Sequence, residues 1–149
     1  MQLSEFVEIT EFLSILNGRL SAAINRQLNR KFKAEGLDIT TEQWSVLACL
    51  WNQDRLTQQE ISDLTFKDKA SITRLLDTLS KHNLIVRVSD PKDRRINLIH
   101  LTKAGIEMEQ KAMAIVQDSF KMAIADIAPN DLLYTKNILY KLLNNILQQ

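Results

Sequence analysis

TQQEISDLTFKDKASITRLLDTLSK, residues 57–81, decides the fold. Thr57 followed three residues later by Glu60 is a capping box, in which hydroxyl and carboxylate satisfy backbone N–H groups that a helix start leaves without partners. The spacing predicts a short helix through Leu64. Thr65-Phe66-Lys67 is a break, and Asp68, a favourable N-cap residue, opens a second helix running to about Lys81. Ile72, Leu75, Leu76 and Leu79 recur at helical steps and face inward. Lys69, Ser71, Arg74, Asp77, Thr78 and Lys81 fall on or beside the opposite face. Two capped helices about four residues apart make a helix-turn-helix.

Working outward, Thr40-Thr41-Glu42-Gln43 is another capping box and opens a helix whose buried side is Trp44, Leu47, Ala48 and Trp51, with Leu50 at the border. Asn52 to Leu56 reads as a polar turn. On the other side, two β-rich runs, Ile85–Ser89 and Ile96–Leu101, flank Asp90-Pro91-Lys92-Asp93-Arg94-Arg95. Asp-Pro starts turns, so this is a hairpin with a basic tip. Thr102 caps a long helix, about 103–127. Pro129, suited to a first helical position, begins the last one.

The N-terminal segment is expected to be one amphipathic helix over about 4–34. Phe6, Ile9, Phe12, Leu13, Leu16, Leu20, Ile24, Leu28 and Phe32 give one apolar stripe, which Gly18 weakens without breaking. Gly36 is the stop. About 30 residues of helix reach roughly 45 Å, more than one small domain needs to cover its own core. The excess points to a partner.

Composition narrows the functional classes. The net charge of +1 is unevenly spread: residues 55–103 hold ten Lys/Arg against six Asp/Glu, the remainder nine against twelve. The positive field therefore lies over the helix-turn-helix and hairpin, a modest excess that suits a nucleic-acid footprint. No uncharged apolar run approaches the roughly 18 residues of a membrane span. The acidic start MQLSEFVEITEF is the wrong sign for a secretory signal. The single Cys49 cannot form an internal disulfide, so a cytoplasmic location is expected. Cys49 has no flanking cation to lower its pKa and reads as a structural thiol. His82 and His100 are isolated, and no Cys/His/carboxylate cluster has metal-ligand spacing, so neither metal nor other cofactor is expected. Without a nucleophile–base pair or a glycine-rich phosphate loop, neither is catalysis.

Taken together, ITTEQWSVL (39–47), LTQQEISDL (56–64), DKASITRLLDTLSKHNLIVR (68–87), DPKDRR (90–95) and LTKAG (101–105) resemble the multiple-antibiotic-resistance regulators, the MarR family. Each piece alone is common; five in this order and spacing are specific. The resemblance implies a mainly α fold with a small β-wing: a winged helix-turn-helix over 38–102, with dimerisation helices in 1–36 and 103–149. It implies a transcription regulator, a repressor in the first instance, acting as a homodimer on an inverted-repeat operator. Many members carry glycine where Asn83 stands; asparagine also tolerates the left-handed conformation required there.

The recognition helix then offers Ser71, Thr73 and Arg74 to base edges, since their side chains can hydrogen-bond in the major groove. Thr57 and Lys69 suit phosphate, where contacts set register. Arg94 and Arg95 sit at the hairpin tip, and the family's Asp-x-Arg pattern falls on Asp93 and Arg95, placing the arginine in a minor groove with the aspartate bracing it. The family also implies a small phenolic or aromatic anion between dimer helices and reading domain, with Arg87 facing it and Trp44 walling it. For both residues the ordinary alternatives are a wing salt bridge and a core aromatic. A winged helix that binds protein instead of DNA remains the competing class; it would need no basic wing tip.

Overall fold

The computed structural model describes the backbone of residues 3–148 and the side chains of residues 8–148. In chain order the elements are α1 (Leu3–Ser14), a π-helical turn (Ile15–Arg19), α2 (Leu20–Ala34), α3 (Thr41–Asn52), β1 (Leu56–Thr57), α4 (Gln58–Thr65) and α5 (Lys69–Lys81). There follow β2 (Ile85–Ser89), β3 (Asn97–Leu101), α6 (Lys103–Ala123) and α7 (Pro129–Leu147). The fold is mainly α with a small antiparallel wing. It comprises two compact units, one up to Val116 and one from Gln117 onward.

The larger unit is built around the helix-turn-helix. Phe32 of α2, Val46, Leu47 and Leu50 of α3, Ile61 of α4, and Ile72, Leu76 and Leu79 of α5 are fully or almost fully buried together with Ile85 and Ile99 of the wing. Removing such side chains from water is the main stabilising term. In α3 the buried face differs from the expectation. Val46, Leu47 and Leu50 hold the centre, whereas Trp44, Ala48 and Trp51 are only half-buried.

The local stops and starts behave as their residue types dictate. Thr40 accepts from Gln43 N at 3.2 Å while Gln43 Oε1 accepts from Thr40 N at 2.9 Å. Thr57 and Glu60 form the same reciprocal box. Gly36, at φ 72°, ends α2 with Leu37 N donating to Phe32 O at 2.8 Å and Gly36 N to Lys33 O at 3.2 Å, a Schellman cap. Asn83, at φ 57°, ends α5 in the same manner: Leu84 N donates to Leu79 O and Asn83 N to Ser80 O, both at 3.0 Å.

Three further expectations need correction. The N-terminal helix is not continuous: Gly18 adopts φ 136°, and α1 and α2 meet at a kink through Ile15–Arg19. Only glycine enters that conformation readily, so the residue interrupts the helix that the apolar stripe implied. Phe6, part of that stripe, lies outside the described side chains. The turn ahead of α4 contains a strand, β1, whose Leu56 pairs with Ile99 of β3. Two residues are too few for an alternating pattern. Finally α6 stops at Ala123; residues 124–127 turn, and Ala128, restricted by Pro129, is extended (ψ 140°).

The sheet runs β1-β3-β2. Ile85 faces Leu101, Arg87 faces Ile99 and Ser89 faces Asn97, so β2 and β3 form the wing hairpin. In the smaller unit, Pro129 occupies the first turn of α7. Leu133, Ile138, Leu139, Leu142, Leu143 and Ile146 are all exposed along that helix.

Candidate nucleic-acid interface

Three elements carry the residues expected to meet DNA: the start of α4, the exposed face of α5, and the wing tip. Asp68 caps α5, accepting from Ser71 N at 2.8 Å and from Ser71 Oγ at 2.7 Å. These bonds hold its carboxyl below the ordinary carboxylate range, the Ser71 hydroxyl contributing most. Ser71 Oγ in turn lies 3.4 Å from Arg74 Nη2. The rest of the Arg74 guanidinium points to solvent with donors to spare. Thr73 is half-buried. Its hydroxyl donates to Lys69 O at 2.8 Å and accepts from Gln58 Nε2 at 2.6 Å. Lys69 is exposed beside them at the helix start.

At the start of α4, Thr57 is held within its capping box. Glu60 Oε2 accepts from both Thr57 N at 2.7 Å and Thr57 Oγ1 at 2.8 Å, and the backbone N–H does most to lower the Glu60 pKa.

The wing tip is organised by two aspartates. Asp90 Oδ1 accepts from Lys92 N at 2.7 Å, and Asp90 N donates to Ile96 O at 2.8 Å, closing the loop. Asp93 receives Arg95 three times: its backbone N at 3.0 Å, Nε at 3.0 Å and Nη2 at 2.9 Å. This fork-on-carboxylate geometry is directional and charge-assisted. The Arg95 guanidinium lowers the Asp93 pKa, and Asp93 raises that of Arg95. Even so, the Arg95 side chain is 89% exposed. A braced arginine that remains in water is ready to meet an external anion. Arg94 beside it is exposed too.

The two residues expected around a small ligand are not brought together. Arg87 makes a 2.6 Å ion pair with Asp77, joining β2 of the wing to α5. Trp44 lines a cavity of about 330 Å³ between α2, α3 and the α4–α5 turn, and Arg87 is not among the lining residues. Trp44 Nε1 itself is buried, with no hydrogen-bond partner among the described residues. Cys49 also lines the cavity, and burial raises its thiol pKa.

Gln58 was not visible as a site residue in the sequence. It stands at the first position of α4, where any polar residue suits, and its partner Thr73 is fifteen residues away. No local spacing signals such a contact. Among the described residues, no three His, Cys, Asp or Glu side chains form a metal-binding group, and no helix is long and apolar enough to cross a membrane.

This geometry agrees with comparison to known proteins. Residues 39–96 match the model of the MarR family. Over 129 residues, 85% of this chain and 86% of the relative, the chain is 28% identical to the organic hydroperoxide resistance transcriptional regulator of Bacillus subtilis (strain 168). Among solved structures it resembles the S. aureus MepR–DNA complex, with a TM-score of 0.80, 27% identity, and 89% and 96% of the two chains covered. It also resembles a cysteine-to-serine variant of E. coli MarR complexed with operator DNA, with a TM-score of 0.82, 26% identity, and 96% and 99% covered. In sequence over residues 39–96 and in fold the chain is similar to the MarR family, and it is a DNA-binding transcriptional regulator of winged-helix type.

Proposed function

We propose that the protein binds an inverted-repeat operator as a homodimer and represses the promoter which that operator overlaps. The observation that carries this reading is the pairing of two exposed basic elements in one module. Arg74 on α5 suits the major groove, and the Asp93-braced Arg95 suits the negative potential of a minor groove. Lys69 supplies a phosphate contact and Arg94 adds positive charge at the tip, whereas Thr57, expected to do the same, has both its donors committed to Glu60. Ser71 and Thr73 complete the reading face. A protein-binding winged helix would have no use for a braced, water-exposed arginine at its tip. The exposed apolar faces of α1 (Ile9, Phe12, Leu13) and of α7 each require cover, and a second copy of the chain supplies it. A two-fold dimer presents its recognition helices to successive major grooves, so half-sites fall about one turn, roughly 10 bp, apart.

Electrophoretic shift and footprinting on selected genomic fragments test this reading. Protection of two symmetric half-sites, weakening steeply with salt as counterions are released, is the expected result. A single asymmetric half-site bound by one chain would contradict it.

A second observation supports release by a small aromatic anion. The cavity at Trp44 is at the small end of the roughly 300–1,000 Å³ of ligand sites. Lys67, paired with Glu42 at 3.6 Å, also lines it and leads directly into Asp68, the cap of the recognition helix. A ligand preferring one position of that turn shifts the population of DNA-competent dimers. Titration of aromatic carboxylates against the Trp fluorescence of the parent and of Trp44→Leu, followed by operator release, tests it. Binding unaffected by Trp44→Leu would remove the cavity from the account.

A further inference from the structure

We propose that Thr73 reads the operator through its methyl group and that Gln58 is the positioning residue that turns it to do so. The inference rests on the operator-binding reading above and specifies how one residue of that face discriminates bases.

A threonine hydroxyl has one proton and two lone pairs. In Thr73 the proton goes to Lys69 O, 2.8 Å away, and one lone pair accepts from Gln58 Nε2 at 2.6 Å. The same Gln58 nitrogen lies 3.4 Å from Lys69 O. That second contact settles the orientation of the carboxamide. Turned over, its oxygen would face the Lys69 carbonyl with no proton between them. Gln58 therefore presents N–H to the pair, and the hydroxyl of Thr73 is fastened from two sides.

Fastening the oxygen fixes the rotamer, because both γ atoms of a β-branched residue turn together. With its only proton committed, half-buried Thr73 has no donor left for a base edge; beside one remaining lone pair it offers its methyl. A methyl makes apolar contact with the C5-methyl of thymine, a feature no other base of ordinary DNA displays in the major groove. The neighbours divide the remaining work. Ser71 has given its hydroxyl proton to Asp68, and Arg74 keeps free donors for acceptor-rich edges.

A bond that only stitched α4 to α5 would change stability and leave the ranking of operators alone. Replacing thymines of the half-site one at a time with deoxyuridine separates the two roles, since only the C5-methyl is lost. The full-length parent is expected to lose about fourfold in affinity per half-site at one thymine, the factor for one buried methyl group. Thr73→Val, which keeps a methyl and lacks the hydroxyl, should retain that thymine-to-uracil ratio. Thr73→Ser, which keeps the hydroxyl and lacks the methyl, should bring it to one. Gln58→Ala should reduce the ratio in the parent and leave it unchanged in the Thr73→Val background, the non-additivity of residues acting as a unit. Far-UV spectra and melting curves confirm that each variant is folded. Uracil tolerated at every position by the parent, or a ratio kept by Thr73→Ser and lost by Thr73→Val, overturns the proposal while DNA binding stands. A parent that selects no genomic fragment overturns both readings.

Discussion

Arg95 and Arg74 are both exposed arginines in one module, yet their surroundings assign them different tasks. Arg95 is clamped by Asp93 on both carboxylate oxygens, so its position is set before DNA arrives. The minor groove distinguishes little beyond A·T from G·C. Arg95→Ala is therefore expected to weaken binding to many sequences at once and to reduce the salt slope, with the preferred core unchanged. Asp93→Ala should be a milder copy, since it removes the brace and not the positive charge. Arg74→Ala should instead cost about 1–3 kcal/mol at its own base pair and relax choice there. A panel of single-base operator changes at two salt concentrations separates these patterns. Asp68 gives a pH test at the same scale. Its pKa is depressed in the folded chain, so its contribution is complete above the unfolded value and lost as pH falls through the folded one. The melting temperatures of the parent and Asp68→Asn should differ at neutral pH and converge only below about pH 4, the ordinary aspartate range. A gap that did not narrow at all as pH fell below about 4 would show that the charged carboxylate is not the source.

Among the elements, the junction of α5, the wing and α6 is held by hydrogen bonds to backbone groups. Thr102 Oγ1 donates to Asn83 O at 2.6 Å and accepts from Gly105 N at 3.1 Å, while Thr102 N donates to Leu84 O at 3.0 Å. Trp51 Nε1 reaches across from α3 to Gly105 O at 2.9 Å. A Cβ at Gly105 would overlap the Leu84 carbonyl oxygen, which is backbone and cannot swing aside. Gly105→Ala should cost about 1–3 kcal/mol or more, read as a lowered melting temperature with operator affinity falling alongside. Gly18 is the opposite case. Nothing lies within 4 Å of a Cβ there, so alanine meets only conformational strain, on the order of 1–3 kcal/mol at φ 136°. The chain can escape that strain by continuing the helix from α1 into α2. Gly18→Ala should thus raise the far-UV helical signal, and an unchanged spectrum would mean that the kink is imposed from elsewhere.

For the whole molecule, the largest unmet demand is the apolar surface of the terminal helices. Leu133, Ile138, Leu139, Leu142, Leu143 and Ile146 are each at least a third exposed on α7. So many large side chains along one helix are destabilising in water unless another surface covers them. Deleting residues 129–149 should give monomers or aggregates that no longer hold the operator. A truncated chain that stays dimeric in sedimentation and binds normally would show that α7 has another purpose.

What the sequence determined by itself was local. Capping boxes at Thr40 and Thr57, the cap at Asp68, the stops at Gly36 and Asn83, and the Asp-Pro turn each depend on residues within five positions of one another, where spacing alone brings the groups into reach. The wing brace, which the family resemblance implied, is local too, because Asp93 and Arg95 are two residues apart. The order of these signals carried the architecture. Only the tertiary structure decided the rest. Leu56 becomes a strand because Ile99 lies beside it, and Val46, not Trp44, is fully buried in the assembled core. Arg87 meets Asp77, not Trp44. Gln58 gains a role because Thr73, fifteen residues on, is folded against it. These contacts join residues distant in sequence, and their energy exists only once packing has already closed the intervening chain.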